Sequence, residues 1–316
     1  MSDLASYTIG WICHDSADSI SEHDNNTYTL GRIGKHRVVI ASLPDGEYGI
    51  ASATGVARDL LHSFPNIRIS LLVGIGGGAP SGKHDIRLGD IVVSFPRGGQ
   101  SGILQYDYGK AIQVLGFKHS GSLNQPQPLL RTAVSDLRGR YLSNGNQIYK
   151  SIQSILTKKK RLRRLFQRPE SSTNRLYRST FVHANRNKSC SDVYSGDANK
   201  EAKAGHLERV VKRIKRSDDE DNPIVHYSLI ASTNTLRKNA EIRDSFAEKH
   251  DALCFQMEAA GLMNHFPYLV IRGICDYSDT HKNEDWQGYV AVTVATYAKD
   301  LLGRIPPKRV KIEKRV

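Results

Sequence analysis

Two carboxylates stand where apolar, strand-like runs end. Asp276 follows LVIRGIC (269–275), and Glu258 follows LCFQM (253–257). An acid at the mouth of an apolar strand loses hydration, so it can stay protonated and pass a proton to a leaving group. A carboxylate that opens a helix can accept hydrogen bonds from paired hydroxyls and favour positive charge developing beside it. The plainer alternatives are a helix cap for Asp276 and macrodipole stabilisation for Glu258. A third feature is the glycine run GIGGGA (74–79) after ISLLV. It spells GxGxxA and, counted from Gly77, falls one residue short of a P-loop, with His84 where Ser or Thr would hold magnesium. Both motifs require a helix directly after the loop. Here Pro80, Ser81 and Gly82 intervene and the next element is a strand, so both readings are set aside. The glycines, Gly76 and Gly77 foremost, are read as bare backbone that lets a small ligand approach the end of a central strand. The alternative is a tight strand exit.

The elements that must position these groups alternate along the chain. Strand patterns cover 7–13, 37–43, 69–73, 91–94 and 103–106, then 224–231, 253–256 and 269–275. Helical patterns cover 50–63, 127–142, 147–156, 236–249, 258–266 and 285–302. This order predicts an α/β fold, three layers αβα with a central twisted mixed sheet and helices on both faces. Residues 158–217 break the pattern. They hold few periodic apolar positions and read as an insertion, partly helical at best, in a single domain spanning 1–307, with a basic tail at 308–316.

Charge follows the same division. The 316 residues carry 45 Lys and Arg against 32 Asp and Glu, a net charge of +13. Residues 158–217 hold 18 basic and 5 acidic residues, the whole excess, and the rest balances at 27 to 27. The insertion can therefore be a solvated surface segment, a phosphate-binding site for nucleic acid, or a cover that brings cations to a substrate's 5′-phosphate. Residues 158–164 also satisfy the crude pattern of a nuclear localisation signal. The four cysteines (Cys13, Cys190, Cys254, Cys275) show no metal-ligand spacing and read as free thiols in a reducing compartment. With no secretory leader and no apolar run of membrane-spanning length, the chain reads as soluble and cytoplasmic, with no membrane partner.

Three segments, VGIGGGAPSGKHDIRLGDIVVS (73–94), FQMEAAGL (255–262) and IRGICDYSD (271–279), together resemble the nucleoside phosphorylase/nucleosidase superfamily. QYDYGK (105–110) and HKNEDWQGY (281–289) resemble its fungal, hydrolase-like branch, whose members are often fused to NTPase and repeat domains. The resemblance implies cleavage of the N-glycosidic bond of a purine nucleoside or nucleotide, with no metal or organic cofactor and with a homo-oligomeric assembly. It makes Asp276 the acid at purine N7 and Glu258 the anchor of the ribose hydroxyls. Met257 would pack on the sugar, and Phe255, Thr233 and Leu236 would lie around the base. Arg272 stands beside the acid as its ion-pair partner. Phosphorylases of the superfamily grip phosphate with an Arg-Val-Gly-Ser pattern; this chain has Leu72-Val73-Gly74-Ile75 there. Losing the guanidinium and the hydroxyl favours water as nucleophile, unless Arg87 or Arg32 substitutes. Asp18 falls where hydrolases keep a glutamate that activates the water, one methylene shorter. Phosphorolysis, a ligand-sensing effector module, and nucleic-acid binding are the alternatives.

Overall fold

The computed structural model describes residues 4–13, 24–113, 116–119, 121–183, 209–217, 220, 222–235, 238–281 and 284–316. Asp18, Cys190 and Leu236 lie outside them. A large mixed sheet runs in the order β10, β9, β5, β11, β4, β1, β3, β2, and β6 adds to β9. Its members are β1 (Ile9–Cys13), β2 (Tyr28–Ile33), β3 (His36–Ser42), β4 (Ile69–Gly78), β5 (Ile91–Ser94), β6 (Ile103–Gln105), β9 (Val225–Ser232), β10 (Ala252–Gln256) and β11 (Leu269–Asp276). β7 (Gly109–Ile112) and β8 (Gly116–His119) form a separate antiparallel pair.

β4 is the central strand. Its first half, ISLLV, is apolar because helices cover both faces. Gly10 on β1 faces Leu60 of α1 (Ile50–Ser63), whereas Gly273 on β11 faces Val294 of α7 (Gln287–Leu302). The register places Gly10 and Gly273 on opposite sides of the sheet. The strand does not stop at Val73 as the sequence pattern suggests. It continues through the glycines to Gly78 because β11 pairs parallel along one edge and β10 antiparallel along the other. β10 also pairs with β9, so β4, β11, β5, β9 and β10 close into a ring. The glycines are thus strand residues, paired with β11 as far as Gly77 and with β10 at Gly77 and Gly78.

Other departures have similar causes. β2 is invisible to period-2 reading because its outward residues are polar and Gly31 interrupts the run; pairing with β3 along six residues makes it a strand. α5 (Ala240–His250) starts later than 236 because Asn239 caps it, accepting from the backbone N–H of Ile242. The helical pattern at 258–266 yields only a short turn, α6 (Ala259–Leu262). α2 (Pro128–Asn144) and α3 (Ile148–Lys158) pack with α7.

The insertion is built into the body more closely than its composition suggests. α4 (Lys160–Phe166) lies on α7, with Leu162 and Phe166 packed on the core and Gly288 admitting the Leu165 carbonyl at close range. Leu176 and Tyr177 are buried. A bridge pairs Tyr177 with Val210, and the Val211 N–H donates to the Leu176 carbonyl at 2.7 Å. The basic tail forms α8 (Pro307–Ile312), whose Val310 is buried.

Candidate active site

Successive residues of β4 face opposite sides of the strand, so Gly74 and Gly76 share one side and Gly77 faces the other. A Cβ on Gly74 would fall on the Arg272 guanidinium, and one on Gly76 would lie 2.6 Å from Cys254 Sγ. A Cβ on Gly77 would fall on Ser278 Oγ and lie 2.7 Å from Asp276 Oδ1. The glycines therefore make room first for the protein's own charged groups. A bulge in β11 between Ile274 and Asp276 sends Arg272 and Asp276 to different sides of the β4 end.

On the first side, Arg272 donates from Nη2 to Glu258 Oε2 at 2.8 Å and to Gln256 Oε1 at 3.0 Å, and from Nη1 to the Ile75 carbonyl at 3.3 Å. Its ion-pair partner is Glu258, not Asp276 as the sequence suggests. Gln256 Oε1 also accepts from the backbone N–H groups of Glu258 and Ala259, at 2.8 and 3.0 Å. Gln256 thus fixes the turn that aims Glu258, a role that nothing but its place two residues before Glu258 could have signalled. Met257 is half-buried beside them. On the second side, Asp276 Oδ1 accepts from the Ser278 N–H at 2.9 Å. Cys254 lies on the first side, its Sγ against Gly76; burial pushes its thiol up to about 12, opposed by Arg272 and assisted by Asp276 and Glu258. All three charged groups are near enough to act on one thiol.

Phe255 and Thr233 sit at the adjoining edge. Phe255 pairs with Gly77 in register, and its ring packs 5.7 Å from Tyr106 and 5.9 Å from Phe246. Thr233 Oγ1 donates to Asp107 at 2.8 Å, so its hydroxyl proton is already used.

Beyond Asp276 the chain turns through Tyr277, Ser278 and Asp279 and meets the insertion. A cavity of about 90 Å³ opens there, lined by Asp276, Tyr277, Asp279 and His281 from the core and by Thr173, Arg175 and Tyr177 from the insertion. Trp286 Nε1 donates to Thr173 Oγ1 at 3.0 Å, and Tyr177 stacks on His281 at 3.9 Å. Part of the basic insertion therefore roofs the acid. Two of its arginines anchor that roof. Arg216 reaches fully buried Asp90 through Nη1 and Nη2, at 2.7 and 2.5 Å. Arg213 donates to Tyr277 Oη at 2.8 Å and to the Ile86 carbonyl at 3.0 Å. Burial works against ionised Asp90, but hydrogen bonds from Arg216 and His226 prevail and hold it at about 2. Burial likewise pushes the Tyr277 hydroxyl up to about 12, against Arg213.

Arg87 is paired with Asp85 at 2.5 Å and donates to the Ile214 carbonyl. Arg32 lies on edge strand β2, five strands along the sheet from β5. Among the described residues, no cluster of three or more His, Cys, Asp or Glu side chains is placed to hold a metal ion. Nor is any helix long and apolar enough to cross a membrane.

The chain matches no protein-family model. It is 38% identical over 322 residues to a nucleotide-binding leucine-rich repeat (NLR)-like protein of Hyaloscypha variabilis, covering 96% of this chain and 30% of that protein. It thus spans under a third of the length of this curated relative. Among solved structures, Helicobacter pylori futalosine hydrolase superposes with a TM-score of 0.53 at 13% identity, covering 94% of this chain and 98% of that one. The H. pylori 5′-methylthioadenosine/S-adenosylhomocysteine nucleosidase, complexed with a pyrrolidin-3-ol that carries a 4-amino-pyrrolo[3,2-d]pyrimidine, gives 0.53 at 12% identity, over 95% and 99% of the two chains. The corresponding S. pneumoniae enzyme with a transition-state inhibitor gives 0.52 at 15% identity, over 95% and 100%. These superpositions show that the chain has the fold of the nucleoside phosphorylase/nucleosidase superfamily.

Proposed function

We propose that this chain hydrolyses the N-glycosidic bond of a purine nucleoside or nucleotide. What supports the reading is a nucleosidase-like fold in which the end of β4 carries the Glu258–Arg272 pair on one side and Asp276 on the other. Asp276 donates its proton to N7 as the C1′–N9 bond breaks and its electron pair passes to the base. Glu258 accepts from the ribose hydroxyls and stabilises the cationic sugar. Water adds to C1′ and gives up its proton, with Asp18 as the base that the resemblance implies. Water is preferred to phosphate because apolar Leu72 and Ile75 stand on β4 in place of the Arg and Ser of the phosphorylase pattern, and Arg87 is held by Asp85.

The test is chromatography of base release from adenosine, AMP and ATP, with and without phosphate. Release is expected without phosphate, to fall about 100-fold or more in Asp276→Asn. Phosphate-dependent release, or an Asn variant as active as wild type, overturns the assignment. The NLR-like relative supports a second reading, a ligand-sensing effector module of a longer protein. Binding without turnover favours it.

A further inference from the structure

Asp276 is aimed by the turn that follows it, and that turn is not relaxed. Ser278, whose N–H donates to Asp276 Oδ1 at 2.9 Å, has a φ of 52°. This left-handed region is uncommon for a residue with a Cβ, and a conformation of this kind persists only where its surroundings enforce it. The enforcing contacts fall on the residue between, Tyr277, which is buried and is gripped at both its carbonyl and its hydroxyl. Arg243 of α5 donates to the carbonyl at 2.7 Å. The hydroxyl donates to Asn174 Oδ1 at 2.5 Å and accepts from Arg213 Nη2 at 2.8 Å and from the Leu88 N–H at 3.3 Å. Arg213 Nη2 also reaches Asn174 Oδ1, at 3.0 Å, so the three side chains close a triangle of hydrogen bonds. Two of its corners, Asn174 and Arg213, belong to the insertion.

We propose that Asn174 and Arg213 are positioning residues: acting through Tyr277, they hold the Asp276 carboxyl where it protonates the leaving base. The inference rests on the hydrolytic reading and extends it, because it makes the insertion part of how the acid works and not a cover alone. Arg213 is a donor only, and Asn174 Oδ1 is an acceptor only, so the triangle fixes the direction of every bond in it. With the triangle opened, Arg243 grips the turn at the Tyr277 carbonyl, a pivot about which the hydroxyl end can swing. A displacement of about 1 Å at a reacting group costs on the order of 100-fold in rate.

Three variants test this. Asn174→Ala removes the acceptor, Asn174→Asp keeps it, and Tyr277→Phe removes the hydroxyl while keeping the ring. Base release from whichever of adenosine, AMP and ATP is cleaved best gives kcat and KM. Hydrogen exchange followed by mass spectrometry reads the turn at 276–281, with α1 as the reference. Asn174→Ala and Tyr277→Phe are expected to lower kcat about tenfold or more with KM within about twofold, since the acid acts in the transition state. Both should speed exchange at 276–281 about tenfold and leave α1 unchanged. Asn174→Asp should restore both readouts. Exchange at the wild-type rate in the first two variants overturns the hold on the turn. Faster exchange with kcat unchanged overturns the positioning role, as does a loosening that spreads to α1 and moves KM as much as kcat. If wild type releases no base, a local loosening that Asn174→Asp reverses upholds the hold on Asp276 and overturns the hydrolytic reading alone.

Discussion

Glu258 and Arg272 are each other's counter-charge in a nearly dry setting, with side chains 12% and 6% exposed. Removing one partner leaves an uncompensated buried charge, a change that costs about 3–5 kcal/mol. Arg272→Met is therefore expected to lower the unfolding free energy by about 3 kcal/mol in urea titration; a loss under about 1 kcal/mol would show the pair to be solvated. The sequence made Asp276 and Glu258 stand out because each ends an apolar run. It hid the pairing of Arg272, which depends on the β11 bulge between Ile274 and Asp276. A one-residue slip reverses which side of a strand a side chain faces, and nothing in residue type marks where that slip falls. Gln256 escaped notice for a related reason. Its importance lies in hydrogen bonds that only the assembled turn reveals.

Strands and helices with strong apolar periods were legible: α1 and β5 occupy the very residues that the pattern implies. Elements defined by a partner were not, as with β2 and the glycine half of β4. The insertion belongs with these, since its roof is held from outside by the Arg216–Asp90 clasp. Asp90 is depressed to about 2 from an ordinary 3.8. A lowered carboxylate pKa adds stability that is complete above the unfolded value and disappears as pH falls through the folded one. The clasp thus contributes fully above about pH 4 and fades toward about pH 2. Arg216→Gln should move the midpoint of acid unfolding to higher pH, followed by circular dichroism. An unchanged midpoint would mean that His226 and the backbone donors hold Asp90 by themselves.

At the scale of the molecule, the +13 charge divides into two populations. Arg213 and Arg216 are interior anchors, whereas Lys158, Lys159, Lys160 and Arg161 are exposed on and beside α4. Changing those four exposed residues together to Gln should alter stability by no more than about 0.5 kcal/mol in urea titration. A larger loss would place them in contacts that the fold does not show. The Tyr177–Val210 bridge has a consequence of another kind. Where two distant points of a chain are stapled together, the stretch between them becomes a side branch. Its length then enters the free energy only logarithmically, about 0.6 kcal/mol for each doubling. Inside that closure Phe181 stacks on His281 and the His183 N–H donates to Thr280 Oγ1 at 2.9 Å, so a change of loop length is expected to leave the roof over Asp276 in place only where both of these residues are kept.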